Sequence, residues 1–317
     1  MTAKSNDQGR AYEYAWMNVL FDNLNEIRST EIVDNSSLHA NIRAWNTLKS
    51  DKKEIFITSA NSAIKTLMEL EPRMEENDND LLFLEFQQDG NGCNGDVRDI
   101  VIKRNSLDWE VGLSIKHNHA AVKHSRISKY LDFGKMWYEL PCSEEYWKDV
   151  LPIFKQLEIE KENKTKWKDL EDKHELVYIP LLKAFSDEIK RAYVLNPEIV
   201  SKMLRYLIGV KDYHKIICYD SKKMTMIESF NINNSLGKPS KNKQSILKLI
   251  KVKLPTELVD IRFKSNSTTT VEMYLNNGWQ LSFRLHNASS TVDTSLKFDI
   301  QFIGMPRGIQ IYNCYWH

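Results

Sequence analysis

The stretch DIVIKRNSLDWEVGLSIK, residues 99–116, decides the reading of this chain. Two apolar runs, residues 99–104 and 109–116, flank a short polar turn at residues 105–108, the pattern of a β-hairpin. Side chains two residues apart share one face of a strand, so Ser114 and Lys116 point the same way. The turn folds Asp99, which opens the first run, back beside the 114–116 end of the second.

An aspartate facing a strand that presents an acid and a lysine two residues apart is an economical tool for phosphodiester hydrolysis. That reaction needs a divalent ion to polarise the phosphate and activate water, with a cation near the developing charge. Hard ions of this kind prefer carboxylate and carbonyl oxygens. Here one position departs from the pattern, because Ser114 stands where the acid is expected. Taken alone, Asp99 and Lys116 read equally well as a structural ion pair, and the bare pattern D…SxK arises easily by chance.

Working outward, helical periodicity covers residues 11–24, 38–48 and 59–70, the last with Thr58 and Ser59 as expected N-caps and a stop before Pro72. Residues 81–89 read as a strand, followed by a turn rich in glycine and asparagine at 90–95. Residues 120–138 read as helix, or as a loop running into one. Further helices are expected at 144–157, 181–193 and 198–208, and a strand at 213–219. Beyond Leu236 the chain turns β-rich, with strands at 270–275, 279–285 and 296–303. The first two of these are joined by Asn276-Asn277-Gly278, a strong hairpin turn.

Composition narrows the class without choosing a function. The 44 lysines and arginines nearly balance 43 aspartates and glutamates, so any nucleic-acid surface must come from local clustering. No apolar run approaches the roughly 20 residues that span a bilayer, and residues 1–10 lack the apolar core of a signal peptide. Cys93, Cys142, Cys218 and Cys314 are far apart, which argues against a zinc site or a disulfide framework and for a reduced, cytoplasmic protein. Gly90, Gly92 and Gly95 form no P-loop, because no GK[ST] follows.

Asp99 with Ser114-Ile115-Lys116 resembles the PD-(D/E)xK nuclease core in an SxK variant. The longer string GDVRDIVI…WEVGLSIKHNHAAVKHSR, residues 95–126, is similar to the HaeIII restriction endonuclease family specifically. The stretches GRAYEYAWMN (9–18) and WQLSFRLHNASS…SLKFDIQFIG (279–304) fit the same family, so the resemblance spans nearly the whole chain. It implies an α/β fold with a mixed sheet flanked by helices, a nuclease core over residues 1–235 with helical insertions, and a β-rich DNA-recognition region over 236–317. The implied activity is Mg²⁺-dependent cleavage of duplex DNA at the palindrome GGCC, leaving a 5′-phosphate and a 3′-hydroxyl. A cytosine methyltransferase protecting the same site is the implied cellular counterpart, acting without a stable complex. A two-fold site suits a homodimer, and a monomer cutting each strand in turn stays open.

On that resemblance Asp99 is a metal ligand, Lys116 orients or polarises the attacking water, and the backbone carbonyl of Ile115 is a further ligand. With Ser114 in the acid's place, the missing carboxylate falls to Glu13 on the first helix, where this nuclease class often places a glutamate, or to Asp96 in the preceding loop. Glu110 lies four residues from Ser114, roughly 13 Å along a strand, too far to share the ion. The polar run His117, Asn118, His119, Lys123, His124 and Arg126 is expected to meet DNA, as are Arg284, His286, Asn287 and Lys297 near the C-terminus. Arginine reads guanine O6 and N7 with two hydrogen bonds, and Asp293 is a candidate acceptor for cytosine N4. Six lysines and no acid in residues 235–255 offer a phosphate-tracking stripe or a solvated face. The aromatic cluster Phe133, Trp137 and Tyr138 is expected to be core. Two other readings fit the same residues: a repair or junction nuclease on this core, and a DNA-binding protein that no longer cuts.

Overall fold

A computed structural model describes residues 2–88, 95–120, 122–123 and 125–316. The chain divides into two compact units: Met1–Ala120 with Val210–Lys253 and Arg307–His317, and Ala121–Gly209 with Leu254–Pro306. Leu236, where the sequence suggests a boundary, lies inside the first unit.

The first unit opens with three helices, α1 (Thr2–Asn25), α2 (Ser36–Asn46) and α3 (Ser50–Leu70). Its sheet runs β1 (Thr30–Ile32), β2 (Leu82–Phe86), β3 (Ile100–Arg104), β4 (Trp109–His117), β6 (Tyr213–Tyr219), β7 (Met224–Phe230) and β12 (Gln310–Tyr315), in that spatial order. The β1–β2 and β4–β6 pairs are parallel and the rest antiparallel, so the sheet is mixed. Strand alternation explains which face the helices cover. Val111, Leu113 and Ile115 of β4, with Ile100 and Ile102 of β3, join Trp16 and Leu20 of α1 and Phe56 of α3 in one core. The intervening residues, Glu110, Gly112, Ser114 and Lys116, occupy the opposite face.

The second unit holds an antiparallel sheet of β5 (Arg126–Ser128), β11 (Ser295–Gly304), β10 (Gln280–His286), β9 (Thr270–Leu275) and β8 (Leu258–Phe263), in that order. Four helices belong to it: α4 (Phe133–Tyr138), α5 (Glu144–Glu162), α6 (Ile179–Leu195) and α7 (Ile199–Ile208). Phe283 and Phe298 on the sheet's apolar face pack with Trp137 of α4 and Phe185 of α6 at centroid separations of 5.0–6.2 Å. The cluster of Phe133, Trp137 and Tyr138 is therefore core.

Two local expectations are corrected. α3 begins at Ser50, so Thr58 and Ser59 are mid-helix. The Ser59 hydroxyl caps nothing and instead contacts the Tyr12 and Thr225 hydroxyls, each at 2.7 Å. Residues 126–128, inside the stretch expected to be helix or a loop running into one, form β5, because pairing with β11 outweighs local propensity. In contrast, Asn277 (φ 58°) and Gly278 (φ 88°) make the tight left-handed connection that the Asn-Gly signal called for.

Candidate active site and nucleic-acid face

The hairpin register sets the geometry of the first site. Ile100 pairs with Leu113, and the Asp99 N–H donates to the Leu113 carbonyl at 2.7 Å, which carries Asp99 to the outgoing end of β4. There Asp99 Oδ2 accepts from the Ile115 N–H at 2.6 Å, from Lys116 Nζ at 3.0 Å and from the Ser114 hydroxyl at 3.4 Å. The Asp99 and Lys116 side chains are half-buried, 22% and 31% exposed, so a solvent-borne ligand can reach them.

Glu13, half-buried on α1, is fixed by the Asn41 side-chain amide of α2, which donates to its Oε2 at 2.9 Å. Burial first, and then the charge of Asp99, raise the Glu13 carboxyl to about 7, against opposing pulls from Lys116, Asn41 and Arg10. Burial alone lowers Lys116, but Asp99 and then Glu13 outweigh it and the ammonium is held above its ordinary range. Two carboxylates thus crowd one lysine, a concentration of negative charge that a divalent cation relieves. The donors are hard oxygens, the chemistry that Mg²⁺ accepts.

Asp96 is differently engaged. Arg98 holds both of its oxygens, through Nε at 2.8 and 3.1 Å and Nη2 at 2.7 Å, while Gln87 donates to it at 3.3 Å. Glu110 pairs with Arg98 at 3.0 Å and Lys211 at 3.2 Å. The stem of Arg98 lies across Gly112: a methyl group there would meet Arg98 Cδ at 1.9 Å.

The polar run after β4 does not act as one surface. The His117 ring turns to the helical face, contacting Phe56 and Tyr12 with centroids 4.9 and 6.2 Å away and Asp220 at 2.9 Å. Asn118, with φ 52°, closes the turn by donating to the Cys218 carbonyl at 2.8 Å and accepting from the Asp220 N–H at 3.0 Å. His119 is half-buried, and Lys123 lies 3.8 Å from the centroid of the Tyr206 ring. His124 lies outside the described residues. His117, Cys218 and Asp220 gather ligand-type atoms within 4.8 Å of one another, but Lys52 already neutralises Asp220 at 2.6 Å.

In the second unit the sheet register assembles what the sequence leaves scattered. Arg126 of β5, Lys297 of β11 and His286 of β10 form one cross-strand row, and Asp299 and Arg284 form the adjacent pair. Burial, then Arg126, lowers Lys297, while burial, then Arg284 and Lys297, lowers His286. Mutual repulsion of this sort marks an electropositive patch. Asn287 instead organises the 287–294 loop, donating to the Ser289 and Thr291 carbonyls at 2.6 Å and accepting from the Asp293 N–H. Asp293 is bound by Lys161 at 3.0 Å. Of the six lysines in residues 235–255, Lys241 and Lys243 pair with Asp78 and Glu75 of the acidic loop in the same unit.

The sequence reading overlooked one charged group on the site's own face of the sheet. Lys215 of β6 stands opposite Ser114 and Glu228 of β7 opposite Lys215, both buried. Lys215 donates to the Ala120 carbonyl at 2.6 Å and lies 3.8 Å from Glu228. Its only sequence signal is a lysine inside the apolar run YHKIICY.

Among the described residues no helix is long and apolar enough to cross a membrane, and Cys142, Cys218 and Cys314 are free thiols. A family model described as HaeIII restriction endonuclease matches residues 9–306. The type II restriction enzyme HaeIII of Haemophilus aegyptius is 46% identical over 317 residues, covering 100% of this chain and 99% of that protein. No solved structure matches.

Proposed function

This chain belongs to the HaeIII restriction endonuclease family and is a type II restriction endonuclease; from that premise we propose a PD-(D/E)xK core, in its SxK form, that cuts duplex DNA at GGCC with Mg²⁺. The observation that carries the proposal is the convergence of the Asp99 carboxylate, the Ile115 N–H and the Lys116 ammonium beside the raised carboxyl of Glu13.

Asp99, Glu13 and the Ile115 carbonyl are the groups that would hold the metal. When bound, the ion polarises the scissile phosphate and makes water a competent nucleophile at neutral pH. The remaining work falls to the chain itself. The Ile115 N–H and the β3–β4 register hold Asp99 in place, and Asn41 holds Glu13. Lys116, kept charged by both carboxylates, places an ammonium against the attacking water and the negative charge growing on the phosphoryl oxygens. Ser114, at the position of the missing acid, donates a hydroxyl to Asp99 and leaves the second carboxylate to α1.

The cationic row of Arg126, Lys297 and His286, with Arg284 beside it, supplies DNA contacts from the second unit. Duplex DNA is the partner, the setting is the cytoplasm, and a cytosine methyltransferase guards the same site. A two-fold site suits a homodimer.

Digestion of a plasmid with and without Mg²⁺ tests this. Discrete fragments whose ends map to GGCC sites are expected from the wild type. Asp99→Ala and Lys116→Ala are each expected to lose at least about 10²–10³-fold in rate, with duplex binding in a gel-shift assay retained. Wild-type turnover in either variant refutes the assignment.

A further inference from the structure

We infer that Arg284 is the guanine-reading side chain of the second unit's sheet and that Asp299 is its positioning residue, with Arg126, Lys297 and His286 serving the phosphate backbone. This deepens the DNA-cleaving reading above and rests on it.

The charge on the polar face of this sheet is lopsided. Toward β8 and β9, Arg262 pairs with Asp260 at 3.3 Å, and a second acid, Glu272, accepts from the Tyr274 hydroxyl at 2.7 Å. Toward β5, β11 and β10 lie four basic side chains, Arg126, Lys297, His286 and Arg284, beside two acids, Asp293 at 3.9 Å from Arg126 and Asp299 at 3.1 Å from Arg284. A sheet face of this kind binds duplex DNA by laying its side chains into a groove. Cations then divide between phosphates, which fix register, and base edges, which carry sequence.

Arg284 differs from the other three in how it is held. It stands on the inner strand β10, flanked by β11 and β9, and its side chain is 58% exposed. Its Nη2 donates to Oδ2 of Asp299, directly across the strand pair, at 3.1 Å. The Asp299 side chain is only 11% exposed, and Gln301 donates to the same oxygen at 3.3 Å. A buried carboxylate thus holds one nitrogen of a planar fork that carries five donors, and most of the side chain stays exposed. Bidentate donation to guanine O6 and N7 needs this rigidity, whereas a phosphate accepts a mobile cation from many directions. Arg126, by comparison, is an edge residue whose Nη1 donates to the Ser295 carbonyl at 2.9 Å.

The test is single-turnover cleavage of short GGCC duplexes with natural guanine, or with 7-deazaguanine or inosine at each guanine in turn. The enzymes are wild type, Arg284→Ala, Arg284→Lys, Asp299→Asn and Arg126→Ala. If the wild type fails to cut the natural duplex, the GGCC reading is lost, and that outcome is separate from those below. Otherwise, 7-deazaguanine at one position is expected to slow the wild type by roughly 5- to 150-fold. Arg284→Ala should lose a similar factor on natural DNA and little more on the modified duplex. Inosine keeps O6 and N7 and should slow wild type and Arg284→Ala by the same factor. Arg284→Lys should recover only part of the rate on natural DNA, because a lysine lacks the planar fork that Asp299 orients. Asp299→Asn should retain part of the discrimination, with a raised KM and little change in kcat. Arg126→Ala should weaken binding to all sequences alike and flatten the salt dependence by about one unit of slope. The inference falls if 7-deazaguanine costs Arg284→Ala as much as it costs the wild type at both positions. It falls equally if Arg284→Ala weakens binding to every sequence uniformly with that same change in salt slope.

Discussion

Gly112→Ala is the substitution whose outcome the structure dictates most directly. The added methyl would lie 1.9 Å from Arg98 Cδ, 2.5 Å from Cγ and 3.1 Å from Cβ, so the whole stem, not a movable tip, blocks it. Arg98 must abandon its rotamer, and with it the bonds to Asp96 and Glu110. Overpacking of this kind costs about 1–3 kcal/mol. Stranding a buried ion pair raises the figure toward about 3–5 kcal/mol. Glu110 is 34% exposed and keeps Lys211, so the lower range applies and about 2 kcal/mol is expected. For a unit of this size that lowers Tm by roughly 4–8 °C. Cleavage should fall further than stability suggests, since Arg98 immediately precedes Asp99 and a displacement of about 1 Å at the reacting groups costs around 10²-fold. Thermal melts and single-turnover cleavage of Gly112→Ala, Arg98→Ala and the double variant check this. In the Arg98→Ala background Cγ and Cδ are gone and only the 3.1 Å contact with Cβ remains, so the alanine should add much less cost there than in the wild type. If Gly112→Ala destabilises both backgrounds equally, or changes Tm by less than a degree in the wild type, the argument is wrong.

Three further outcomes follow from the charged groups. Glu13, raised to about 7, binds a proton in the folded metal-free enzyme that the unfolded chain has released above about 4.5. Its contribution to stability is therefore complete at low pH and lost as pH rises through 7. Metal binding near pH 6.5 should then expel a proton, visible by calorimetry in buffers of different ionisation enthalpy and absent in Glu13→Gln. Lys215→Met strands Glu228 and should cost about 3–5 kcal/mol in urea unfolding, most of it recovered in Lys215→Met/Glu228→Leu. Burial pushes Asp220 upward, but Lys52, His117 and Cys218 outweigh it and hold the carboxyl at about 2. Its stabilising effect is present above the ordinary carboxylate range and lost as pH falls through 2, so Lys52→Met should narrow the acid-stable range in a pH-jump melt.

How far these groups were legible depended on the range of the contact that defines each. The hairpin of β3 and β4 was readable because its turn spans only residues 105–108, and the strand period then brings Asp99 to Lys116. β6 was readable from its apolar run, but β7, β8 and β12 were not, since their pairing partners and not their own sequences make them strands. Residues 126–128 carry no strong strand signal and pair with residues some 170 positions later. The Arg284–Asp299 brace was hidden for the same reason: both residues were in plain view, but only the β10–β11 register places them opposite one another.

Ser114 shows how a departure from a pattern is resolved by geometry that no local motif contains. A carboxylate at that position would face Asp99 across the hairpin and stand directly opposite Lys215. Lys215 is already committed to Glu228 and the Ala120 carbonyl, and a second buried acid beside it would need its own compensation. A hydroxyl carries no charge to compensate and still donates to Asp99. In the site proposed above the second carboxylate is Glu13, which Asn41 of α2 holds in a place partly open to solvent. Moving the acid from strand to helix also separates its control from that of the lysine. Lys116 depends on the hairpin register, and Glu13 on the packing of α1 and α2. Asn41→Leu should therefore weaken metal binding and leave Lys116 and the Asp99–Ile115 bond in place. A drop in cleavage that raising the Mg²⁺ concentration restores supports that separation; a loss that no concentration of metal restores contradicts it.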